Sequence, residues 1–250
     1  MARGVLVTGA ARGIGRAVAT AFAEQGDRVA VHYATSADAA ETTRSALPGD
    51  GHVVIGGDLT DPARAQAVVA EAVAALGGLD VVVNNSAAMI RHPLVDTSYA
   101  DWQAAWRETI DVNLLAAAHV SYCAAHHMID TGRAGRIVNV GSRGAFRGEP
   151  DYPAYGASKA ALHALGQSLA VSLAPHGIAV ASVAPGFVDT ERVADLLTGA
   201  EGAAIRAQSP FGRVATPEEV ASAVVYLASP GATWSSGAVL DVNGASYLRT

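Results

Sequence analysis

Short apolar runs recur near residues 4–8, 28–33, 52–56, 80–84, 136–141, 178–184 and 238–242. Runs such as Val5-Leu6-Val7 and Val81-Val82-Val83 read as buried strands. Between them lie segments with helical patterning near 13–25, 37–46, 61–76, 99–130, 152–175 and 217–229. Seven strands alternating with helices predict an α/β fold: a single Rossmann-like, doubly wound parallel sheet with right-handed crossovers. No linker, repeat or low-complexity tract divides the chain, so residues 1–250 read as one domain. Sheets of this kind bind ligands outside the carboxyl ends of their strands. Gly9, Asp58, Asn85, Ser142 and Pro185 each fall just after a predicted strand, which directs them to one cleft.

Composition narrows the class. Alanine is abundant and aromatics make up only 6% of residues, which suits helices packed closely on a sheet. A formal net charge of −6 argues against nucleic acid or an anionic membrane surface as a partner. No apolar run is long enough to span a bilayer, and the first strand begins where a signal peptide would lie. The lone cysteine, Cys123, has no internal partner, so a reducing, cytoplasmic setting is expected. Its apolar helical surroundings mark it as a core residue rather than a nucleophile.

Two constellations carry chemistry. The first is Thr8-Gly9-Ala10-Ala11-Arg12-Gly13-Ile14-Gly15, between the first strand and the first helix. Strand, glycine turn and helix N-terminus together aim backbone N–H groups at a pyrophosphate. The second is Tyr155 and Lys159, four residues apart and so on one helix face, with Ser142 upstream in Val140-Gly141-Ser142. An ammonium beside the phenol is expected to favour the phenolate and lower the Tyr155 pKa from about 10. A phenol tuned in this way gives and takes a proton.

In this order and spacing the residues resemble the classical short-chain dehydrogenase/reductase family, from about residue 3 to residue 244. Its cofactor turn matches Thr8 to Gly15, with Gly9, Arg12, Gly13, Ile14 and Gly15. Asp58-Leu59 matches the pair that contacts the adenine, and Asn84-Asn85 the motif ending the fourth strand. Asn113, Ser142, Tyr155 and Lys159 match the four catalytic positions. Pro185, Gly186, Val188 and Thr190 match the nicotinamide-side loop. The resemblance implies hydride transfer with Tyr155 as acid and base. Lys159 would hold the ribose hydroxyls, Ser142 would donate to the substrate oxygen, and Asn113 would hold a water linking Lys159 to solvent. One departure is Asn84-Asn85-Ser86-Ala87, where the family usually has Asn-Asn-Ala-Gly; Ala87 puts a methyl where the backbone passes close to the cofactor.

An NAD-specific site usually ends its second strand with an acid that binds the ribose 2′-OH. Here that strand runs into Tyr33-Ala34-Thr35-Ser36, with no acid before Asp38. Arg12 stands where relatives that use NADP often carry a basic residue, and Tyr33 and Ser36 add donors, so NADP is favoured over NAD. The substrate is read as a small carbonyl or alcohol, most like those of 3-oxoacyl-carrier-protein reductases. An NAD-dependent secondary alcohol or sugar dehydrogenase and a non-catalytic dinucleotide sensor remain alternatives. Residues 86–96 and a lid at 187–213 are expected to line the pocket, with Arg91, His92, Arg143 and Arg147 giving a basic entrance. The family implies a homotetramer, or a homodimer.

Overall fold

Successive strand residues point to opposite faces, so a strand apolar at every position needs cover on both sides. In the computed structural model, which describes residues 2–249, helices supply that cover. The strands are β1 (Gly4–Val7), β2 (Arg28–Tyr33), β3 (Val53–Gly56), β4 (Val81–Asn84), β5 (Arg136–Val140), β6 (Ala179–Pro185) and β7 (Val239–Val242). All neighbours pair in parallel in the order β3-β2-β1-β4-β5-β6-β7. The order reverses between β1 and β4, which is where such sheets open a crevice.

One face is covered by α1 (Gly13–Glu24), α2 (Ala37–Ala46) and α8 (Pro217–Leu227). Val5, Val7, Val29, Val31, Val81, Val83, Val138 and Val140 meet α1 and α8 there, around Phe22 and Val224. The other face is covered by α3 (Pro62–Leu76), α5 (Ala116–Asp130) and α6 (Pro153–Leu173). Leu6, Val82, Ile137 and Val180 pack against Leu76, Val120 and Met128 on that side. Cys123 lies against this second core, and burial pushes its thiol pKa up, as a structural cysteine requires. No described helix is long and apolar enough to cross a membrane.

Local signals account for the helix ends. Asp61 accepts from the Ala63 N–H at 2.9 Å with Pro62 next to it, and Gly77 closes α3 in the left-handed region at φ 68°. Thr216 and Glu219 form a reciprocal capping box at α8. The predicted helix 99–130 departs from expectation. It is α4 (Tyr99–Ile110), a π-turn at Asp111–Leu115, and α5. A π-turn keeps the backbone helical through its extra residue, so the segment reads in sequence as one continuous helix. The 187–213 segment, expected as a lid, contains a 3-10 turn (Asp195–Leu197) and α7 (Gly199–Ala207).

His32, buried in β2, ties three strand ends together. Its Nδ1 accepts from the Gly9 N–H at 3.2 Å, so Nε2 carries the proton and donates to the Gly57 carbonyl at 3.0 Å. Burial is the main reason its pKa falls from 6.5 to about 4. Between those values the unfolded chain binds the extra proton, so the stability His32 contributes is complete above about pH 6.5 and is lost as pH falls towards 4.

Two measurements check this account. Phe22→Ala should cost about 3–5 kcal/mol in urea unfolding, because Phe22 is fully buried between α1 and the sheet. His32→Gln should flatten the acid limb: the wild type should lose about 2 kcal/mol more than the variant between pH 7 and pH 5.

Candidate active site

The glycine turn is shaped by backbone geometry first. Gly9 (φ 63°) and Gly13 (φ 55°) occupy the left-handed region that favours glycine. A β-carbon on Gly15 would run into the Gly9 carbonyl and the Asn85 amide. Thr8 and Asn85 lock the turn to the end of β4. The Thr8 hydroxyl accepts from the N–H groups of Asn85 (2.9 Å) and Ser86 (3.0 Å), and the Asn85 amide donates to the Thr8 and Gly9 carbonyls. Arg12 precedes α1 without a side-chain cap, and the first turn holds no acid. The helix's leading N–H groups are therefore available to an anion.

At the end of β2, an Arg12 nitrogen donates to Ser36 Oγ at 3.0 Å, and no acid intervenes before Asp38 on α2. Tyr33 lays its ring across Gly56 at the end of β3. Asp58 is exposed and closes its own turn by accepting from the Thr60 N–H and hydroxyl. Leu59 turns inward and packs in the core beside α3. Ile14 leans on the first core cluster. Ala87 needs no left-handed backbone, since Ala245 is the only non-glycine with positive φ among the described residues. The Ala87 carbonyl accepts from Arg192 at 3.0 Å.

The Tyr-Lys pair lies on α6, whose start is capped from a distance: His92 Nε2 accepts from the Ala154 N–H at 3.2 Å. Lys159 is only 2% exposed, and its Nζ donates to the Val140 carbonyl at 2.8 Å. Burial, then the charge of Arg192, lowers its pKa to about 7. Ser142 Oγ accepts from the Gly144 N–H at 3.0 Å, which caps a 3-10 turn and leaves the hydroxyl proton to donate. The expected fall in the Tyr155 pKa is not seen. Burial raises it, against the Ser142 hydrogen bond and the Arg192 charge, while Glu149 adds to the rise. The reason is geometric: Lys159 Nζ is held at Val140, 5.8 Å from the Tyr155 ring centre, and desolvation outweighs what remains.

Asn113 sits in the π-turn, which directs its amide across the chain. Nδ2 donates to the Ala88 carbonyl (3.0 Å) and to Ser158 Oγ (2.9 Å), and Oδ1 accepts from the Ala88 N–H (2.7 Å). The amide thereby joins the segment after β4 to α6. On the opposite side, Pro185 ends β6, Gly186 N–H donates to Val242, Val188 bridges to Ala215, and the Thr190 methyl lies over Gly13. Thr190 at Gly13 and Arg192 at Ala87 thus set this loop beside the glycine turn, and the Arg192 charge reaches Tyr155 and Lys159.

The basic entrance is corrected in part. His92 is buried, with one ring nitrogen on the Ile90 carbonyl and the other on Ala154. Arg91 pairs with Asp151, and Arg143 is buried away from the mouth. The cation that does act on the Tyr-Lys pair is Arg192, which the sequence reading missed. Nothing in its local sequence distinguishes it; only the return of its loop to Ala87 brings it there.

The profile of the family described as Enoyl-(Acyl carrier protein) reductase matches residues 9–245. An L-rhamnose 1-dehydrogenase (NAD(P)(+)) of Sphingomonas sp. is 38% identical over 98% of this chain and 96% of that protein. A 3-oxoacyl-[acyl-carrier-protein] reductase of Vibrio cholerae is 35% identical over 97% and 96%. The crystal structure of a dehydrogenase/reductase from Sinorhizobium meliloti superposes with a TM-score of 0.90, at 33% identity over 99% of this chain and 96% of that one. With the sheet order, the glycine turn and the Tyr-Lys pair already in place, these matches establish that the chain belongs to the short-chain dehydrogenase/reductase family of oxidoreductases, enzymes that act on small molecules with NAD or NADP.

Proposed function

We propose that this protein is an NADP(H)-dependent oxidoreductase that interconverts a ketone, of the 3-oxoacyl type, and its secondary alcohol. The observation that carries the reading is the meeting of Tyr155, the Ser142 hydroxyl and the buried Lys159 beside an uncapped, glycine-lined helix N-terminus. A dinucleotide fits that cradle: Gly9, Gly13, Ile14 and Gly15 offer backbone to a pyrophosphate, and the absence of an acid at the end of β2 leaves room for a 2′-phosphate beside Arg12 and Ser36. Tyr33, Asp58, Leu59 and Asn85 would border the adenosine half, and Pro185, Gly186, Val188 and Thr190 the nicotinamide half. When bound, the nicotinamide supplies or accepts the hydride.

In reduction Tyr155 donates its proton to the substrate oxygen; in oxidation it takes the proton from the alcohol. Desolvation keeps the phenol protonated, which is the form that reduction requires. Ser142 donates a hydrogen bond where negative charge develops on that oxygen. Lys159, on its Val140 tether, presents its remaining N–H groups to the ribose side and carries charge below about pH 7. Asn113 clamps Ala88 and Ser158 through its amide, and in this reading the position so fixed holds the water that links Lys159 to solvent. Residues 187–213 form the substrate lid. Exposed Leu115 at the end of the π-turn, Tyr122 on α5, and Trp234 and Leu240 around β7 mark the faces that a homotetramer would cover.

The L-rhamnose relative favours a second reading, in which the substrate is a sugar or other secondary alcohol and NAD serves as well. A non-catalytic sensor is not supported, because the family consists of oxidoreductases and the Tyr-Ser-Lys group is intact.

Tyr155→Phe should lower the turnover number by about 10²–10⁴-fold while NADPH still binds in a fluorescence titration; a variant with unchanged turnover would remove Tyr155 from the chemistry. The wild type should bind NADPH more tightly than NADH, and Arg12→Ala should weaken NADPH binding about tenfold with little change for NADH. An equal loss for both cofactors would overturn the assignment of Arg12 to the 2′-phosphate.

A further inference from the structure

Behind the 185–190 loop lies a cavity of about 320 Å³, at the small end of ligand-sized pockets. Phe187, Ile205, Ser209, Phe211 and Val242 form much of its wall, which includes none of Ser142, Tyr155 and Lys159. Arg143 supplies the charge. Its side chain is 96% withdrawn from solvent (4% exposed), yet its guanidinium donates only to neutral oxygens, Ser246 Oγ and Gln208 Oε1 (2.6 Å). No carboxylate accepts from it among the described residues. The remaining charges of the wall are already matched: Arg213 with Glu219 at 2.6 Å, and Asp241 with Arg249 at 2.8 Å. Glu149 acts on Arg143 only through space, against the charge of Arg147, so one guanidinium without a hydrogen-bonded carboxylate faces a cavity with aromatic sides.

A buried cation with no hydrogen-bonded carboxylate is incompletely compensated for its lost hydration, and an incoming anion can supply that pairing. A guanidinium pairs with a carboxylate in a planar, two-bonded geometry. Phe187, whose ring centre is 5.1 Å from the Arg143 guanidinium carbon, and Phe211 flank a space suited to a flat apolar body. We propose that this cavity, whose wall shares the 187–213 segment read above as the substrate lid, binds a small aromatic or alicyclic monocarboxylate, its carboxylate on Arg143, at a site apart from Ser142, Tyr155 and Lys159. The site adjoins the cofactor side through its wall. Ala215 donates to the Phe187 carbonyl at 3.0 Å and accepts from the Asp189 N–H at 2.8 Å, so an occupant braces the loop that carries Pro185 to Thr190.

Isothermal titration of the intact protein with benzoate, at constant ionic strength set by sodium chloride, tests the assignment. Saturable benzoate binding is expected, with none for benzyl alcohol. Arg143→Met should weaken benzoate binding at least tenfold, whereas its NADPH affinity should stay within about twofold of the wild type. Phe211→Ala, which alters an exposed ring and leaves the guanidinium in place, should weaken benzoate binding about fivefold; this second variant decides the matter if Arg143→Met does not fold. Tyr155→Phe should bind benzoate as the wild type does. Absence of benzoate binding, equal binding of benzyl alcohol, displacement by chloride alone, unchanged affinity in the folded Arg143→Met or in Phe211→Ala, or loss of binding in Tyr155→Phe would each overturn the proposal.

Discussion

The removal of the Lys159 ammonium from water is the constraint on which the cleft depends. A cation at 2% exposure with one protein hydrogen bond, to the Val140 carbonyl, holds only if α6 is pressed against the end of β5. That contact leaves no room at Gly141, where any β-carbon would overlap the His163 ring. His163 stands one turn beyond Lys159 and stays neutral: burial first, then the Lys159 charge, pulls its pKa to about 4. The same desolvation brings Lys159 to about 7 and raises Tyr155. The pair therefore differs from an exposed phenol-ammonium pair of the same spacing, in which Coulomb attraction would dominate.

A second set of contacts holds the glycine turn in register with this pair. The Thr8 hydroxyl, the Asn85 amide and the His32 imidazole fix the ends of β1, β4, β2 and β3 to one another and so hold the shape of the glycine turn. Asn113 extends the same lock to α6 through Ala88 and Ser158, and the π-turn is what aims its amide there. Preorganised groups of this kind spend little reorganisation energy when charge moves during the reaction.

Arginines show how charge is distributed by tertiary contact. Arg192 reaches the Tyr-Lys pair because its loop folds back on Ala87, and Arg143 is withdrawn behind Phe187 although it directly follows Ser142. His92, placed in sequence near the expected pocket, serves the backbone instead: it accepts at the start of α6 and packs its ring edge-on to Trp102 at 5.3 Å. Neighbouring positions in a loop say little about where a long side chain ends, because its direction depends on elements far away in the chain.

Much was legible in the sequence. Unbroken apolar runs bounded by helical periodicity determined a parallel sheet covered on both faces, and the positions of Gly9, Asn85, Ser142 and Pro185 just after those runs placed them at the carboxyl edge of that sheet. The four-residue spacing of Tyr155 and Lys159 determined their shared helix face, since that follows from helix geometry alone. What the pair does with protons was decided by the tertiary structure. Desolvation, the Val140 tether and the arrival of Arg192 all depend on segments that meet only when the chain is folded, and burial is a property of that packing rather than of any residue's neighbours in sequence.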